Sequence, residues 1–349
     1  MRADLQAMHA DMPRVGNAKR AWVARSSLRL ILEADEGLIG LGEAAPLPGR
    51  SPETLPEAHR ALADIRWPEA PLTEVAEIRD FVEGAIEASL PSARFAAEAA
   101  LLGLLGASRG VPIHALLGAG EPSAVPIAHA LFAEDDEAVF AGLREADAFG
   151  SRAIKLKVGR ASREDDERRW LRAVRAELGD VELRLDANQS IAVDALPRFL
   201  ARLASFEPAF IEEPAPFEAL LEVESPFPYA LDESLAGPGA AERLERAIDS
   251  GRFGAIVLKP SLIGGLLPSL ALAERGRAAG LEVVISHLLE GPIARAAAAH
   301  LAVSFGPTAA GLGDHPALDL LSDGLMTSWI DLAWIEPPMA PGLALEVVW

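Results

Sequence analysis

Five short apolar segments in the middle of the chain have the composition of buried strands, yet each one ends in charged side chains. The segments are residues 154–157, 183–188, 210–214, 230–234 and 256–260. Buried strands normally exclude charge, because an unpaired ion in a dry interior is costly. Stretches with helical patterns separate the five segments. We therefore predict one site, built at the strand ends of a barrel.

Along the chain, these charged side chains are two lysines, then three carboxylates and then one lysine. They are Lys155, Lys157, Asp186, Glu212, Asp232 and Lys259. Three carboxylates on neighbouring strands repel one another and take up protons unless a cation neutralises them. Mg²⁺ suits such a site, with Mn²⁺ as an alternative, because it prefers oxygen ligands and leaves positions for water and substrate. The chain has no cysteine and no H-x-x-x-H pair, which makes zinc a poorer fit.

Two of the lysines are expected to face each other across the mouth of the barrel. Lys157 and Lys259 belong to the second and sixth predicted strands, and Lys155 shares a strand face with Lys157. A neighbouring ammonium and a nearby cation both disfavour the charged form of Lys157, which brings its pKa towards the range of a general base. This layout suits the removal of a proton next to a substrate carboxylate, with the metal holding the resulting enediolate.

The first third of the chain predicts a small α+β unit. Residues 21–33 alternate in part between apolar and polar side chains, as a strand does. The Asp-Glu-Gly sequence at 35–37 and the strand-like residues 38–43 that follow predict a hairpin. Helical patterns come next, at residues 54–65, 72–89 and 92–105. Strands followed by helices are typical of an α+β unit.

From about residue 125, strand-like segments alternate with helical patterns. The eight segments are residues 125–130, 153–158, 182–187, 209–213, 229–231, 255–259, 282–286 and 308–312. Eight repeats within roughly 190 residues match a (β/α)₈ barrel. An open doubly wound sheet is the alternative, but the sequence has no G-x-G-x-x-G turn. Residues 342–348 are again strand-like, and we expect them to return to the first unit.

Composition limits the classes of partner. The net charge of −20 argues against non-specific binding to nucleic acid or to an anionic membrane surface. Residues 1–16 lack the apolar segment of a signal peptide. The most apolar stretch, residues 293–305, is too short to span a bilayer and contains Arg295 and His300. We therefore expect a soluble cytoplasmic protein that binds a small carboxylate, and its oligomeric state stays open.

Five motifs resemble those of the enolase superfamily, in the branch with two catalytic lysines. They are Lys155-Leu156-Lys157, Asp186-Ala187-Asn188, Glu212-Glu213-Pro214, Asp232-Glu233-Ser234 and Lys259-Pro260. Enzymes of this superfamily combine a lysine or histidine base with Mg²⁺. The resemblance covers essentially the whole chain. It implies that Asp186, Glu212 and Asp232 bind the metal, and that Lys157 and Lys259 are the acid/base pair, supported by Lys155.

The same resemblance implies an α/β fold, with a modified (β/α)₇β barrel of the TIM type and an α+β capping domain. We assign residues 1–120 and the C-terminal tail, residues 325–349, to the cap. Residues 121–324 are assigned to the barrel that carries the active site.

Within this superfamily, residues 42–54, 183–188 and 259–265 resemble the o-succinylbenzoate synthases. That resemblance implies a lyase that removes water from a cyclohexadiene carboxylate in menaquinone biosynthesis. It also implies a set of residues that bind the substrate: Pro48, Arg50, Arg184, Asn188, Gly264, Gly265 and Ser286. The two glycines would let backbone N–H groups approach a substrate carboxylate closely.

The predicted seventh strand departs from the pattern of many relatives, which carry Ser-Ser-x-x-Glu-Ser there. This chain has Ser-His-Leu-Leu-Glu-Gly-Pro at residues 286–292. His287 follows Ser286 and points the other way if the strand continues, so a packing role is favoured for it. His315, near the end of the eighth strand, either lines the pocket or caps a loop.

Several alternatives stay open from the sequence alone. An N-acylamino acid racemase would use the same two lysines. A dipeptide epimerase usually carries Asp-x-Asp near the eighth strand, where this chain has Gly-Asp-His-Pro at residues 313–316. Muconate-type cycloisomerisation fits the cap loop less well. A metal-dependent hydrolase would normally use histidine ligands, and a catalytically silent metal-binding barrel would not need both lysines.

Overall fold

The computed structural model describes residues 1–16, 21–34, 37–118, 120–131 and 135–347. The chain begins with a three-stranded antiparallel sheet in the order β1-β2-β3, formed by β1 (Arg2–Gly16), β2 (Ala21–Glu33) and β3 (Ile39–Ala44). The two strands predicted at residues 21–33 and 38–43 are confirmed as β2 and β3. Two residues of the predicted turn, 35 and 36, lie outside the described residues. No strand was predicted for residues 2–16, because β1 is mostly exposed and carries charges throughout.

Four helices complete the N-terminal unit. They are α1 (Leu55–Ala63), α2 (Val75–Ala85), α3 (Pro91–Arg109) and α4 (Ile113–Leu117). Helix α3 is buried along most of its length and lies against β3. The contact requires glycine, because a Cβ on Gly40 or Gly42 would collide with the carbonyl oxygens of Ala100 and Ala96. The small residues of α3 and β3 therefore bring the backbones of helix and strand together.

Seven parallel strands form the main sheet, in the order β11-β10-β9-β8-β7-β6-β5. After the two-residue strand β4 (Val125–Pro126), the seven are β5 (His129–Leu131), β6 (Ala153–Lys157), β7 (Glu182–Asp186), β8 (Phe210–Glu212), β9 (Tyr229–Leu231), β10 (Phe253–Leu258) and β11 (Glu282–Ile285). The strands are short and almost wholly buried. They match the predicted segments to within a few residues.

In the described part of the chain, nine helices connect and follow these strands. They are α5 (Asp136–Ala148), α6 (Glu164–Leu178), α7 (Leu196–Leu203), α8 (Phe217–Glu222), α9 (Ala240–Ser250), α10 (Pro260–Ile263), α11 (Leu266–Ala278), α12 (Pro292–Val303) and α13 (Pro316–Leu320). Helix α12 is buried on every side. It covers most of the apolar stretch at residues 293–305, and it belongs to the protein core.

The predicted eighth strand, residues 308–312, closes the ring through isolated bridges. Ala310 pairs with Ile127, and Gly311 pairs with Ser286, both in parallel orientation. The N–H of Gly311 donates to Ile285 O, and the N–H of Ala310 donates to the carbonyl before Ile127, each at 2.8 Å. This segment joins β11 to the beginning of the sheet. The predicted α/β barrel with a separate α+β cap is confirmed.

The C-terminal segment contacts both the cap and the barrel. It contains β12 (Leu325–Met326), β13 (Trp334–Ile335) and β14 (Glu346–Val347). Strand β13 pairs with β4. Gly342 accepts a hydrogen bond from Ile113 N and donates one to Val111 O, both at 2.9 Å. The tail thus returns to the N-terminal unit, as expected. The predicted domain boundaries, at residues 120/121 and 324/325, stay a prediction. In the described part of the chain, no helix has the length and apolar character needed to cross a bilayer.

A buried histidine joins this tail to the barrel. His300, on α12, is fully buried, and its Nε2 lies 3.2 Å from Leu343 O. Its Nδ1 accepts a hydrogen bond from the backbone N–H of His114 at 3.3 Å, and its ring lies 5.0 Å from that of Trp329. Burial lowers the pKa of His300 to about 3. The imidazole is therefore neutral in the folded protein at neutral pH.

The neutral imidazole of His300 predicts a loss of stability in mild acid. The unfolded chain binds the proton first, since an ordinary histidine has a pKa of about 6.5. The stabilisation is complete above about pH 6.5 and declines as the pH falls towards 3, by about 2 kcal/mol at pH 5. We expect His300→Gln, which keeps a donor and an acceptor, to flatten this pH dependence in urea unfolding.

The matched control is His59→Gln, since His59 lies exposed on α1. This variant should keep the pH dependence of the wild type. An unchanged slope in His300→Gln would contradict the role given to the buried imidazole.

Candidate active site

Three carboxylates lie together at the carboxyl edge of the barrel sheet. Asp186 ends β7 and Glu212 ends β8, and the two residues are direct partners in the parallel ladder. Asp232 follows β9 by one residue. All three residues are buried, with at most 4% of their surface exposed. The placement of their backbones at one edge is as predicted.

The ammonium group of Lys155 bridges two of these carboxylates. Its Nζ lies 3.1 Å from Asp186 Oδ2 and 2.5 Å from Glu212 Oε2. Burial opposes the charge of Lys155, but the two carboxylates outweigh it and raise the pKa of this lysine. The lysines also outweigh the effect of burial on Asp186 and lower its pKa. Burial dominates at Glu212 and raises its pKa to about 7.

Asp232 is held by a second lysine. Lys259 Nζ lies 2.5 Å from both carboxylate oxygens of Asp232. Arg50, from the cap, reaches over the same edge and pairs with Glu233 at 2.8 Å. Glu213, next to Glu212 in sequence, accepts hydrogen bonds from Asp232 N and Ser234 N at 2.8 Å each. Glu213 thus fixes the turn that carries Asp232.

The residue types fit a hard divalent cation, because all three acids offer oxygen donors on neighbouring strand ends. The side chains themselves are arranged differently. Among the described residues, no three Asp, Glu or His side chains stand ready to enclose one ion. The lysine ammonium groups contact the oxygens that the sequence assigned to a metal. Metal binding by Asp186, Glu212 and Asp232 therefore stays a prediction.

Lys157 lies beside these charges and opens onto a cavity of about 450 Å³. Burial lowers its pKa, and the neighbouring Lys155 and Lys259 act in the same direction, while Asp186 opposes them. All three of these lysines line the cavity. The chain contains only four lysines. One of them, Lys157, has the environment of an amine that can accept a proton.

The cavity is lined by both charged and apolar side chains. The charged ones are Arg50, the three lysines and the acids Glu145, Asp186 and Asp314. The larger apolar ones come from the cap, from the barrel loops and from the segment near the C-terminus: Val15, Trp22, Leu47, Phe149, Leu288, Leu289 and Leu332. Such a cavity suits an anionic ligand with an apolar body.

Comparison with known proteins agrees with this geometry. Residues 138–349 match the family described as Enolase C-terminal domain-like. The chain belongs to the enolase superfamily. The match includes the strands that carry Lys155, Asp186, Glu212, Asp232 and Lys259, so the family and the site rest on the same part of the chain.

Several members of the enolase superfamily are similar in sequence to this chain over most of their length. An o-succinylbenzoate synthase from Desulfotalea psychrophila is 32% identical, covering 72% of this chain and 69% of the relative. Another from Thermosynechococcus vestitus is 33% identical, covering 83% and 84%. An N-succinyl-L-Arg/Lys racemase from Bacillus cereus is 26% identical, covering 80% and 76%.

A solved structure extends the similarity to the whole fold. It is a dipeptide epimerase from Methylococcus capsulatus, complexed with Mg and the dipeptide L-Arg-D-Lys. It superposes with a TM-score of 0.85 at 26% identity, covering 99% of both chains. Membership of the enolase superfamily thus supports an enzyme, and its members differ in the reaction that they catalyse.

The structure divides the predicted substrate-binding residues. Arg50, Asn188 and Ser286 line the cavity, and substrate binding by them stays a prediction. Pro48 is exposed and does not line it. Its carbonyl accepts a hydrogen bond from the indole of Trp22 at 3.1 Å. Its neighbour Leu47 lines the cavity instead, and substrate binding by Pro48 stays a prediction.

The prediction for the two glycines after Lys259 is wrong. The N–H groups of Gly264 and Gly265 both donate to Pro260 O, at 2.9 and 3.0 Å, so they are not directed at a ligand. A Cβ on Gly265 would lie 2.6 Å from the carboxylate of Glu98 on α3. These glycines permit close contact between barrel and cap.

Arg184 lies at the other end of the barrel, contrary to prediction. It is two residues before Asp186 on β7, so its side chain lies on the same face but deeper in the barrel. Its guanidinium donates to Ala309 O at 2.6 Å and pairs with Glu182 at 2.5 Å and Glu282 at 2.7 Å. Both acids are the first residues of their strands. Arg184 therefore closes the floor of the barrel.

The two histidines near the cavity contact each other. His287 lines the cavity, but its Nε2 lies 3.1 Å from Gly313 O and its Nδ1 accepts from Leu289 N at 3.2 Å. Its ring lies 4.4 Å from that of His315, which is buried. Burial lowers the pKa of His287 to about 3. His315 does not line the cavity.

Asp314 is a site feature that the sequence did not reveal fully. It lines the cavity near the eighth strand segment. Its carboxylate pairs with Arg295 of α12 at 2.9 Å. The arginine is 19 residues earlier in the sequence, and only its position in the buried helix could have pointed to a need for a counter-ion.

The position of Arg184 predicts an effect on stability and not on ligand binding. Arg184→Met should lower the free energy of unfolding by about 2 kcal/mol, since it leaves Ala309 O without its donor and two acids without their partner. Both acids are partly exposed, which limits the loss. The substrate KM should stay within about twofold. Urea unfolding and steady-state kinetics measure the two quantities.

Arg50→Met provides the contrast, because Arg50 lines the cavity. It should raise KM by about tenfold with a smaller loss of stability. A rise in KM for Arg184→Met larger than that for Arg50→Met would contradict these positions.

Proposed function

We propose that the protein is a Mg²⁺-dependent o-succinylbenzoate synthase of menaquinone biosynthesis. It would convert 2-succinyl-6-hydroxy-2,4-cyclohexadiene-1-carboxylate to 2-succinylbenzoate by syn elimination of water. The observation that carries the proposal is that Lys157 and Lys259 line one cavity, next to the buried acids Asp186, Glu212 and Asp232. The two o-succinylbenzoate synthases of similar sequence support the same choice.

Asp186, Glu212 and Asp232 would hold the Mg²⁺. When bound, Mg²⁺ would supply positive charge to the substrate carboxylate next to the carbon that loses its proton. The oxygen donors of these three residues support this role, as does the Mg in the related epimerase structure. Lys155 would keep Asp186 and Glu212 in place by its contacts with both.

Lys157 would act as the base. Its neutral amine accepts a proton at Nζ, and burial favours the neutral form. The C–H bond next to the carboxylate breaks first, and the C–O bond to the hydroxyl group breaks on the same side of the ring. Hydroxide leaves with the proton as water, and the ring becomes aromatic. Lys259 would stabilise the negative charge that develops on the substrate from the other side of the cavity.

The remaining walls support an acid that carries an apolar ring and no ammonium group. The apolar residues that line the cavity suit the ring, and Arg50 offers a cation for a second carboxylate. Outside the predicted metal site, Glu145 and Asp314 are the acids that line the cavity among the described residues, and Arg295 already pairs with Asp314. This pairing favours dehydration over epimerisation of dipeptides.

Turnover of the diene is the direct test. Incubation with the cyclohexadiene substrate and Mg²⁺ should remove the diene absorbance. Lys157→Ala and Lys259→Ala should each lower kcat by about 10²–10⁴-fold, since each removes a group needed for proton transfer or charge stabilisation. Binding of Mn²⁺, followed by electron paramagnetic resonance, should be nearly unchanged in Lys157→Ala. No turnover by the wild type at full metal occupancy would reject the proposal.

Metal binding has its own test, independent of turnover. Glu212→Gln should weaken Mn²⁺ binding by at least about tenfold, the loss expected even when an outer partner of a metal ligand is removed. Glu222→Gln, on the exposed end of α8, is the control and should bind Mn²⁺ like the wild type. Equal affinities in the two variants would remove Glu212 from the metal site.

N-acylamino acid racemisation is the second candidate. It is favoured by the amines of Lys157 and Lys259, which could exchange a proton on opposite faces of one carbon, and by the N-succinyl amino acid racemase among the relatives. Deuterium exchange at the α-carbon of N-succinyl amino acids in ²H₂O distinguishes this activity from dehydration. A catalytically silent barrel would bind Mn²⁺ and process neither substrate.

A further inference from the structure

Arg25 is a buried cation of the cap that the proposed reaction does not use. It lies on β2 and is only 1% exposed. Burial lowers its pKa, whereas the charges of Glu290 and Glu43 oppose that shift. A buried guanidinium is tolerated only when its donors are satisfied. The partners of Arg25 therefore indicate what it stabilises.

Backbone carbonyls of two separate loops accept the hydrogen bonds of Arg25. On the cap side, Nη2 donates to Ala45 O, and Nη1 donates to Pro46 O at 2.9 Å. On the barrel side, Nε donates to Leu289 O at 2.8 Å, and Nη2 donates to Leu288 O at 3.3 Å. The fifth donor reaches Ser26 O, in the adjacent residue, at 3.3 Å. All five donors are thus used.

Both loops form walls of the substrate cavity. The cap loop, residues 45–50, provides Leu47 and Arg50. The barrel loop, residues 286–291, provides Leu288 and Leu289 among others. No backbone–backbone hydrogen bond is found between the two loops in the described part of the chain. The guanidinium therefore supplies a link that the two backbones do not make directly.

The barrel loop is also constrained from its other sides. Leu289 has φ of +59°, a left-handed conformation that is unfavourable for a leucine and must be held by its surroundings. The carboxylate of Glu290 accepts from Leu288 N and from the hydroxyl of Ser261, just after Lys259. Glu43 of β3 accepts from Gly291 N at 2.9 Å. The hydrogen bond from Arg25 to Leu289 O is part of this restraint.

We propose that Arg25 is a positioning residue, which holds the cap loop and the barrel loop at a fixed separation and so sets the width of the substrate cavity. This inference rests on the proposed function only in that a substrate binds in the cavity. Lysine cannot replace Arg25 fully, since its ammonium has three donors and no planar fork.

The test compares Arg25→Met, Arg25→Lys and Arg29→Met in the full chain with Mg²⁺. Arg29 is the matched control, because it is also buried on β2 but contacts Asp323 and Ser322. Hydrogen–deuterium exchange of peptides that contain residues 45–51 and 286–291 reports the two loops. Arg25→Met should accelerate exchange in both loops together by about tenfold or more, and Arg29→Met should accelerate neither.

Kinetics add a readout that a general loss of stability would not give. Arg25→Met should raise KM by about tenfold or more and change kcat by less than about threefold, because the walls move and the lysines on β6 and at the end of β10 stay in place. Arg25→Lys should give an intermediate KM. If Arg25→Met does not fold, the Lys variant carries the same comparison.

The outcomes separate this inference from the assignment of the reaction. Unchanged exchange in both loops of a folded Arg25 variant would overturn it, as would equal changes in the Arg29 control. If the wild type does not process the diene, the proposed function fails. The exchange experiment still decides the role of Arg25.

Discussion

The arrangement of the site depends on the balance of charge at the carboxyl edge of the barrel. Asp186, Glu212 and Asp232 are buried on neighbouring strand ends, where like charges strongly oppose one another. In this structure Lys155 and Lys259 contact their oxygens directly. This pairing gives the site lysines different environments. Lys155 lies between carboxylates that favour its charge, whereas burial and two neighbouring cations favour the neutral form of Lys157.

The cap is joined to the barrel by buried carboxylates that accept from the first turns of barrel helices. Glu98 of α3 accepts from Leu267 N at 2.9 Å, at the start of α11. Glu43 of β3 accepts from Gly291 N and Ala294 N at the start of α12. Helix N-termini carry partial positive charge and free N–H groups, so they suit acids. Burial raises the pKa of Glu98 to about 7, and the backbone N–H groups oppose that rise.

Much of the barrel and the main charged residues of the site could be predicted from the sequence, because charged side chains at the ends of buried strands violate the rule that a dry interior excludes charge. Charges at the ends of apolar strands are rare, so their order along the chain indicated a site. Arg184 and Asp186 lie on the same face of β7, and the sequence pattern does not show which end of the barrel each side chain reaches. For that reason the prediction places Arg184 at the wrong end of the barrel. The position along the strand determines which end of the barrel a side chain reaches. Asp186 is the last residue of β7, and Arg184 lies two residues earlier.

Other features depend on contacts between distant parts of the chain. Arg25 meets carbonyls more than 260 residues away, and nothing in the sequence around it indicates that partner. The sequence after Lys259 predicts a ligand-binding glycine turn, whereas the structure shows that the approach of Glu98 requires the glycine at position 265. Strand β1 was missed because its stability comes from pairing with β2, and most of its side chains remain in solvent.

The lysine content of the chain gives the site an unusual chemical signature. Arginine supplies nearly all of the 32 basic side chains, and only four are lysines, three of which line the cavity. An arginine stays charged under all ordinary conditions, so it suits permanent ion pairs, whereas an amine can lose its proton. Reagents that modify primary amines will therefore find few targets in this protein apart from its chain terminus. Apart from Lys19 and the terminal amine, every such target lines the cavity, so labelling read out peptide by peptide reports on the ionisation and accessibility of these three lysines.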